Sequence, residues 1–151
     1  MDNIRAAWLY PIILAAGAFQ AWGPPMNSAL KKALINPWLS SLVSFVPILA
    51  FLLVLVFCLP RPLPTLQAIS QMPWWAPLGG LIGAFAVVAG LLFVSKVGAG
   101  AFAGLTITAN FLTSLAIDKY GWFGMSVHEL SSGRIAGATL LVAGIILICR
   151  F

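Results

Sequence analysis

Phe19-Gln20-Ala21-Trp22-Gly23-Pro24-Pro25-Met26-Asn27 closes the first apolar run of the chain. Residues 6 to 19 read as ordinary hydrophobic helix; this stretch adds two amides, an indole and a Gly-Pro-Pro break. In hydrocarbon a freed carbonyl or an unpaired amide is costly, so such groups are expected where protein or a water-filled cavity satisfies them. The stretch therefore predicts the interior of an integral membrane protein, with the helix interrupted at the prolines.

Composition agrees. Of the 151 residues 62% are hydrophobic and 7% charged, against roughly 25% charged in soluble chains. The charged groups lie between the apolar runs, as in a polytopic membrane protein of one domain, residues 1–151. The formal net charge of +5 does not point to nucleic acid, because the basic residues cluster nowhere beyond Lys31-Lys32. They are placed to face lipid headgroups at the ends of spans. Cys58 and Cys149 each end an apolar run without a CxxC or His partner and read as apolar packing residues. The first run has no obvious small-residue cleavage site before its Pro-Pro and reads as a retained span.

Working outward, five spans are expected at residues 6–26, 38–59, 75–94, 99–117 and 135–149. Trp8 and Tyr10 anchor the first at the interface; Lys31 and Lys32 follow it on a short connection to Asn36-Pro37. Span two opens with Ser40, Ser41 and Ser44 and then turns wholly apolar. Pro60, Pro62 and Pro64 end it, leaving residues 60–73 as a loop. Span three follows Trp74-Trp75 and carries Gly79 and Gly83, a pair suited to close helix approach; span four carries another, Gly100 and Gly104. The connection at residues 95–98 is so short that spans three and four are expected as antiparallel neighbours. Thr106, Asn110, Thr113 and Ser114 fall on one helical face of span four. Span five, poor in polar side chains, is expected at the periphery or a helix seam.

An odd number of spans puts the termini on opposite sides. Arg5, Arg61, Lys119 and Arg134 then fall on the N-terminal side, and Lys31, Lys32, Lys96 and Arg150 on the other. Orientation follows an excess of Lys and Arg on the cytoplasmic side, and here there is none. The balance predicts dual topology, in which two copies insert oppositely and pair as an antiparallel homodimer. Such a pair makes a ten-helix bundle with the inverted repeat that larger transporters hold in one chain.

Taken in order, several motifs resemble the YdcZ-like family, a five-helix branch of the bacterial drug/metabolite transporter superfamily. They are Gln20…Asn27, Trp74-Trp75-Ala76-Pro77-Leu78-Gly79-Gly80, Leu105-Thr106-Ile107-Thr108-Ala109-Asn110, Asp118-Lys119-Tyr120-Gly121-Trp122-Phe123-Gly124 and Arg134-Ile135-Ala136-Gly137-Ala138. The resemblance covers essentially the whole chain. It implies an all-α bundle in the bacterial inner membrane, multi-pass, working as inverted five-helix halves in secondary transport of small molecules. Asn110 departs from the pattern, which has Gln there.

The acids are Asp2, Asp118 and Glu129, all assigned to ends or loops. Without a membrane-embedded carboxylate the usual device for proton-coupled exchange of cations is missing. The expected substrate is therefore a small neutral, zwitterionic or anionic solute held by amides, hydroxyls, helix termini and aromatic faces. The candidate binding residues are Gln20, Trp22, Asn27, Ser44, Thr106, Asn110 and Ser114. Each polar one has a structural alternative: an interhelical hydrogen bond for the amides, a bond to the residue's own helix for the Thr and Ser hydroxyls, helix start and packing for Ser40, Ser41 and Ser44. Trp22 offers a stacking wall or a cation-π face; Trp8, Trp38, Trp74, Trp75 and Trp122 read as interfacial anchors. His128-Glu129 reads as solvated loop. No catalytic residue, cofactor or metal site is expected, since no nucleophile with its base and no phosphate-cradling loop is present. The expected partners are membrane lipid, a second antiparallel copy and the solute. The alternative role is a small membrane scaffold or accessory subunit, favoured by the missing carboxylate and the many small-residue faces.

Overall fold

The computed structural model describes residues 8–59 and 61–151. Expectations resting on Asp2, Arg5, Ala6 and Pro60 lie outside the described residues. In chain order come α1 (Leu9–Leu34), α2 (Pro37–Cys58), α3 (Leu66–Ser70), α4 (Leu78–Val97), α5 (Ala99–Tyr120), a single 3₁₀ turn (Trp122–Gly124) and α6 (Ser132–Arg150). No strand occurs among the described residues.

Helix α1 corrects the expected break. It passes through Pro24 and Pro25 and holds Lys31 and Lys32 in its last turn, not on a connection after Met26. Each proline forfeits one backbone bond, but its fixed φ is helical, and away from water the remaining helical bonds are worth keeping. The two lysines also sit at the negative end of the helix dipole. The helix stops at Ile35, held at φ 63 with its N–H still donating to the Lys31 carbonyl at 2.8 Å. Asn36 precedes proline and is extended. Its Oδ1 accepts from the N–H groups of Trp38 and Leu39 at 2.9 and 3.2 Å, and Pro37 takes the first helical position, where no N–H is needed.

Other boundaries shift less. The stretch read as loop contains α3, capped by the Thr65 hydroxyl, which accepts from Ala68 N–H at 3.2 Å. Helix α4 begins after the Trp74–Pro77 turn and ends at Val97, leaving Gly98 alone before α5 with φ 87. Helix α5 extends past Ile117 to take in Asp118 and Lys119. Gly121 closes it at φ 62, where a Cβ would also lie 2.9 Å from Val127 Cγ2. Left-handed backbone and lack of space both require glycine there. The Ser131 hydroxyl caps α6, accepting from Arg134 N–H at 3.3 Å.

The chain divides into two units, Met1–Lys96 and Val97–Phe151. In the first, α1 and α2 form an antiparallel hairpin with Ser28, Ser40 and Ser41 buried; small side chains let the backbones approach. Leu91 and Val94 of α4 are buried, and Gly90 lies against Pro24, whose Cβ is 3.1 Å from where a Cβ on residue 90 would stand. The close approach on α4 is thus at Gly90; Gly79 and Gly83, expected in that role, have nothing near them. In the second unit α5 and α6 form an antiparallel hairpin in which Ile145 fills the space over Gly104. Span five is therefore a seam helix.

Four helices are long and apolar enough to cross a membrane: Pro37–Cys58, Leu78–Val97, Ala99–Tyr120 and Ser132–Arg150. Helix α1, with 26 residues, spans about 39 Å at 1.5 Å per residue, but Gln20, Pro24, Pro25 and Asn27 dilute its apolar character. Leu91, Val94 and Ile145 are the buried apolar side chains among the described residues, while most large apolar side chains point outward. That is the reverse of a soluble domain and suits a lipid solvent. Cys58 and Cys149 are exposed within the chain, which corrects their reading as packing residues.

Candidate functional site

Within the first unit two predicted residues meet. The Ser44 hydroxyl donates to Asn27 Oδ1 at 2.8 Å, joining α2 to α1. Ser40 and Ser41 donate to the carbonyls of Asn36 and Pro37, at 2.8 and 2.9 Å, one turn back on their own chain. Those two serve helix start and packing; only Ser44 of the three reaches across to α1.

Gln20 lies seven residues before Asn27 on α1, and because the helix persists through the prolines the two share a face. Gln20 is exposed, and its amide has no hydrogen-bond partner among the described residues. Trp22 is 63% exposed and meets Phe19 edge to face, ring centroids 5.6 Å apart. The indole is thus steadied by one aromatic neighbour while most of its surface stays exposed.

In the second unit Thr106, Asn110, Thr113 and Ser114 are all exposed, along one side of α5. Gly104 and the buried Thr108 mark the opposite side, which packs on α6. The Thr106 hydroxyl is committed locally: its oxygen lies 3.0 Å from the Phe102 carbonyl and 2.9 Å from that of Ala103. Asn110 and Ser114 have no side-chain hydrogen bond among the described residues. Asn110 stands halfway along a helix of 22 residues, at the depth where an unpaired amide is least comfortable in lipid.

Neither of two grooves on the separate units contains a predicted residue. One, of about 340 Å³, runs along the outer side of α2 past Leu42, Phe45, Val46 and Leu49. The other, of about 280 Å³, lies between α5 and α6 beside Leu112, Leu130, Ile135 and Val142. Their apolar walls suit acyl chains or neighbouring helices rather than a polar solute.

Sequence reasoning missed the ties at the other end of the α5–α6 hairpin. Arg134 Nη1 donates to Asp118 Oδ2 at 3.2 Å, and His128 N–H donates to the Asp118 carbonyl at 2.9 Å. The His128 ring pairs with the Ser126 hydroxyl at 3.1 Å, so it is a loop residue with local partners. The signal available was opposite charge at two helix ends joined by a short loop. No group of three or more His, Cys, Asp or Glu able to hold a metal occurs among the described residues.

Long apolar helices with outward-facing hydrophobic surface define a multi-pass integral membrane protein of the helical class. The chain belongs to the family described as "Putative inner membrane exporter, YdcZ", whose model matches residues 8–147. It is 31% identical over 84 residues to the inner membrane protein YdcZ of Escherichia coli K12, an alignment covering 56% of each chain. The chain thus spans about half the length of that curated relative. No solved structure matches it. The expected location, the bacterial inner membrane, follows from this membership and the apolar helices.

Proposed function

We propose that the protein is a secondary transporter that moves a small neutral, zwitterionic or anionic solute across the inner membrane by alternating access. The reading counts α1 as a fifth span and pairs two copies in antiparallel orientation, as the even division of basic residues suggests. What supports it is the pair of amides, Gln20 and Asn110, which have no side-chain partner among the described residues and stand midway along α1 and α5. Hydrocarbon does not retain such groups without use. The family's description as an exporter supports the same role. Asp118 and Glu129, the acids among the described residues, lie in the last turn of α5 and in the loop after it. That placement favours a solute other than a bare cation.

The test is flux in proteoliposomes, with neutral, zwitterionic, anionic and cationic solutes compared. The expected result is saturable uptake of a solute from the first three classes, lost in the combined Gln20→Ala and Asn110→Ala variant. Uptake confined to cations would overturn the substrate class. No uptake of any solute would favour the accessory-subunit role, which the inward use of Asn27 and Ser44 as a helix tie also supports.

A further inference from the structure

The paired prolines do more to α1 than remove two donors. In an α-helix the carbonyl of residue i accepts from the N–H of residue i+4. The Gln20 and Ala21 oxygens would therefore be served by residues 24 and 25, which are both proline. Tightening or widening the turn offers little. The i+5 donor for Gln20 would be Pro25 and the i+3 donor for Ala21 would be Pro24, so Gly23 N–H and Met26 N–H are the remaining local donors. Using them takes an i+3 or i+5 bond in place of the i+4 bond that the rest of α1, Leu9–Leu34, is built on. No side chain among the described residues donates to either oxygen. Both residues are exposed within the chain. They stand about 17 Å along α1, near mid-membrane if α1 is the fifth span of the transporter reading.

Two adjacent carbonyls thus lack the i+4 donor of their own helix, on residues exposed within the chain, and an unpaired acceptor is expensive away from water. Carbonyl oxygens carry partial negative charge. They attract N–H groups and repel carboxylate, sulfate and phosphate oxygens.

We propose that the Gln20 and Ala21 carbonyls form an acceptor subsite for an N–H donor group of the transported solute, the ammonium of a zwitterion. The proposal rests on the transporter reading and narrows it: simple anions leave the substrate class. A solute carrying its own counter-charge also needs no carboxylate from the protein, consistent with acids confined to a helix end and a loop.

Pro24→Ala with Pro25→Ala returns an N–H partner to both oxygens and keeps a Cβ against Gly90, so the tertiary contact survives. The purified full-length protein is assayed by thermal shift with matched sets of solutes: amino acids, their N-trimethyl betaines and the corresponding 2-hydroxy acid anions. The expected result is that an amino acid stabilises the parent protein while its betaine and hydroxy acid do not. The double proline variant, folded and at least as stable without ligand, should then bind that amino acid about tenfold more weakly, as loss of charge-assisted hydrogen bonds entails. Gly90→Ala, which crowds Pro24 without restoring any N–H, should keep the parent affinity. Equal stabilisation by a betaine or hydroxy acid, no stabilisation by any amino acid, affinity undiminished in the double variant, or stabilisation by sodium chloride alone that the double variant loses would each overturn the subsite. Flux of an anion that still depends on Gln20 and Asn110 would remove the subsite and leave transport standing; absence of all flux removes both.

Discussion

The Ser44 hydroxyl bonds Asn27 Oδ1 at 2.8 Å across the α1–α2 hairpin. The bond uses one acceptor position of the amide and leaves both N–H donors of Asn27 without a partner among the described residues. A double-mutant cycle on Asn27→Ala and Ser44→Ala should return a coupling energy of about 0.6 kcal/mol, the average for interhelical hydrogen bonds in membranes. Unfolding equilibria in mixed micelles measure it, and additive single effects would show that the pair does not tie the helices.

Gly104 sets the approach of α5 to α6. A Cβ there would overlap the end of the Ile145 side chain. Gly104→Ala should destabilise the hairpin by about 1–3 kcal/mol, the usual cost of overpacking. Shortening the neighbour with Ile145→Val in the same chain should recover part of that loss. Thermal midpoints of the single and double variants check the compensation.

Membrane orientation gives the third prediction. With the basic residues divided equally, reporters fused to the C-terminus should be active on both sides of the membrane. Replacing the exposed Ser95 near the end of α4 with lysine should shift the distribution toward one orientation. A single fixed orientation for the parent chain would exclude the antiparallel pair.

The four helices that apolar runs of membrane-spanning length define were legible because runs that long and that hydrophobic leave few alternatives, and their ends carry readable signals. Asn36-Pro37 starts α2 and Gly121 stops α5, as turn and capping chemistry dictates. Helix α1 was misjudged at Pro24-Pro25. Reading proline as a breaker assumes that water competes for the freed carbonyls, and that competition is weak in a bilayer. Of the candidate site, the single face of Thr106, Asn110 and Ser114 follows from helical spacing. The junction of Asn27 with Ser44 does not, because it depends on how far α1 continues before the chain turns. The Arg134–Asp118 pair escaped notice for a similar reason: extension of α5 brings Asp118 into the last helical turn, opposite the start of α6.

The ties within Val97–Phe151 bear on the order in which the protein assembles. Ile145 over Gly104, Arg134 on Asp118, and His128 N–H on the Asp118 carbonyl all link two helices adjacent in sequence. Closing the one connection at residues 121–131 costs modest chain entropy, and helices adjacent in sequence find each other sooner than distant ones. The α5–α6 hairpin therefore holds its cross-helix ties within its own sequence, so they can form without contacts from residues before Val97.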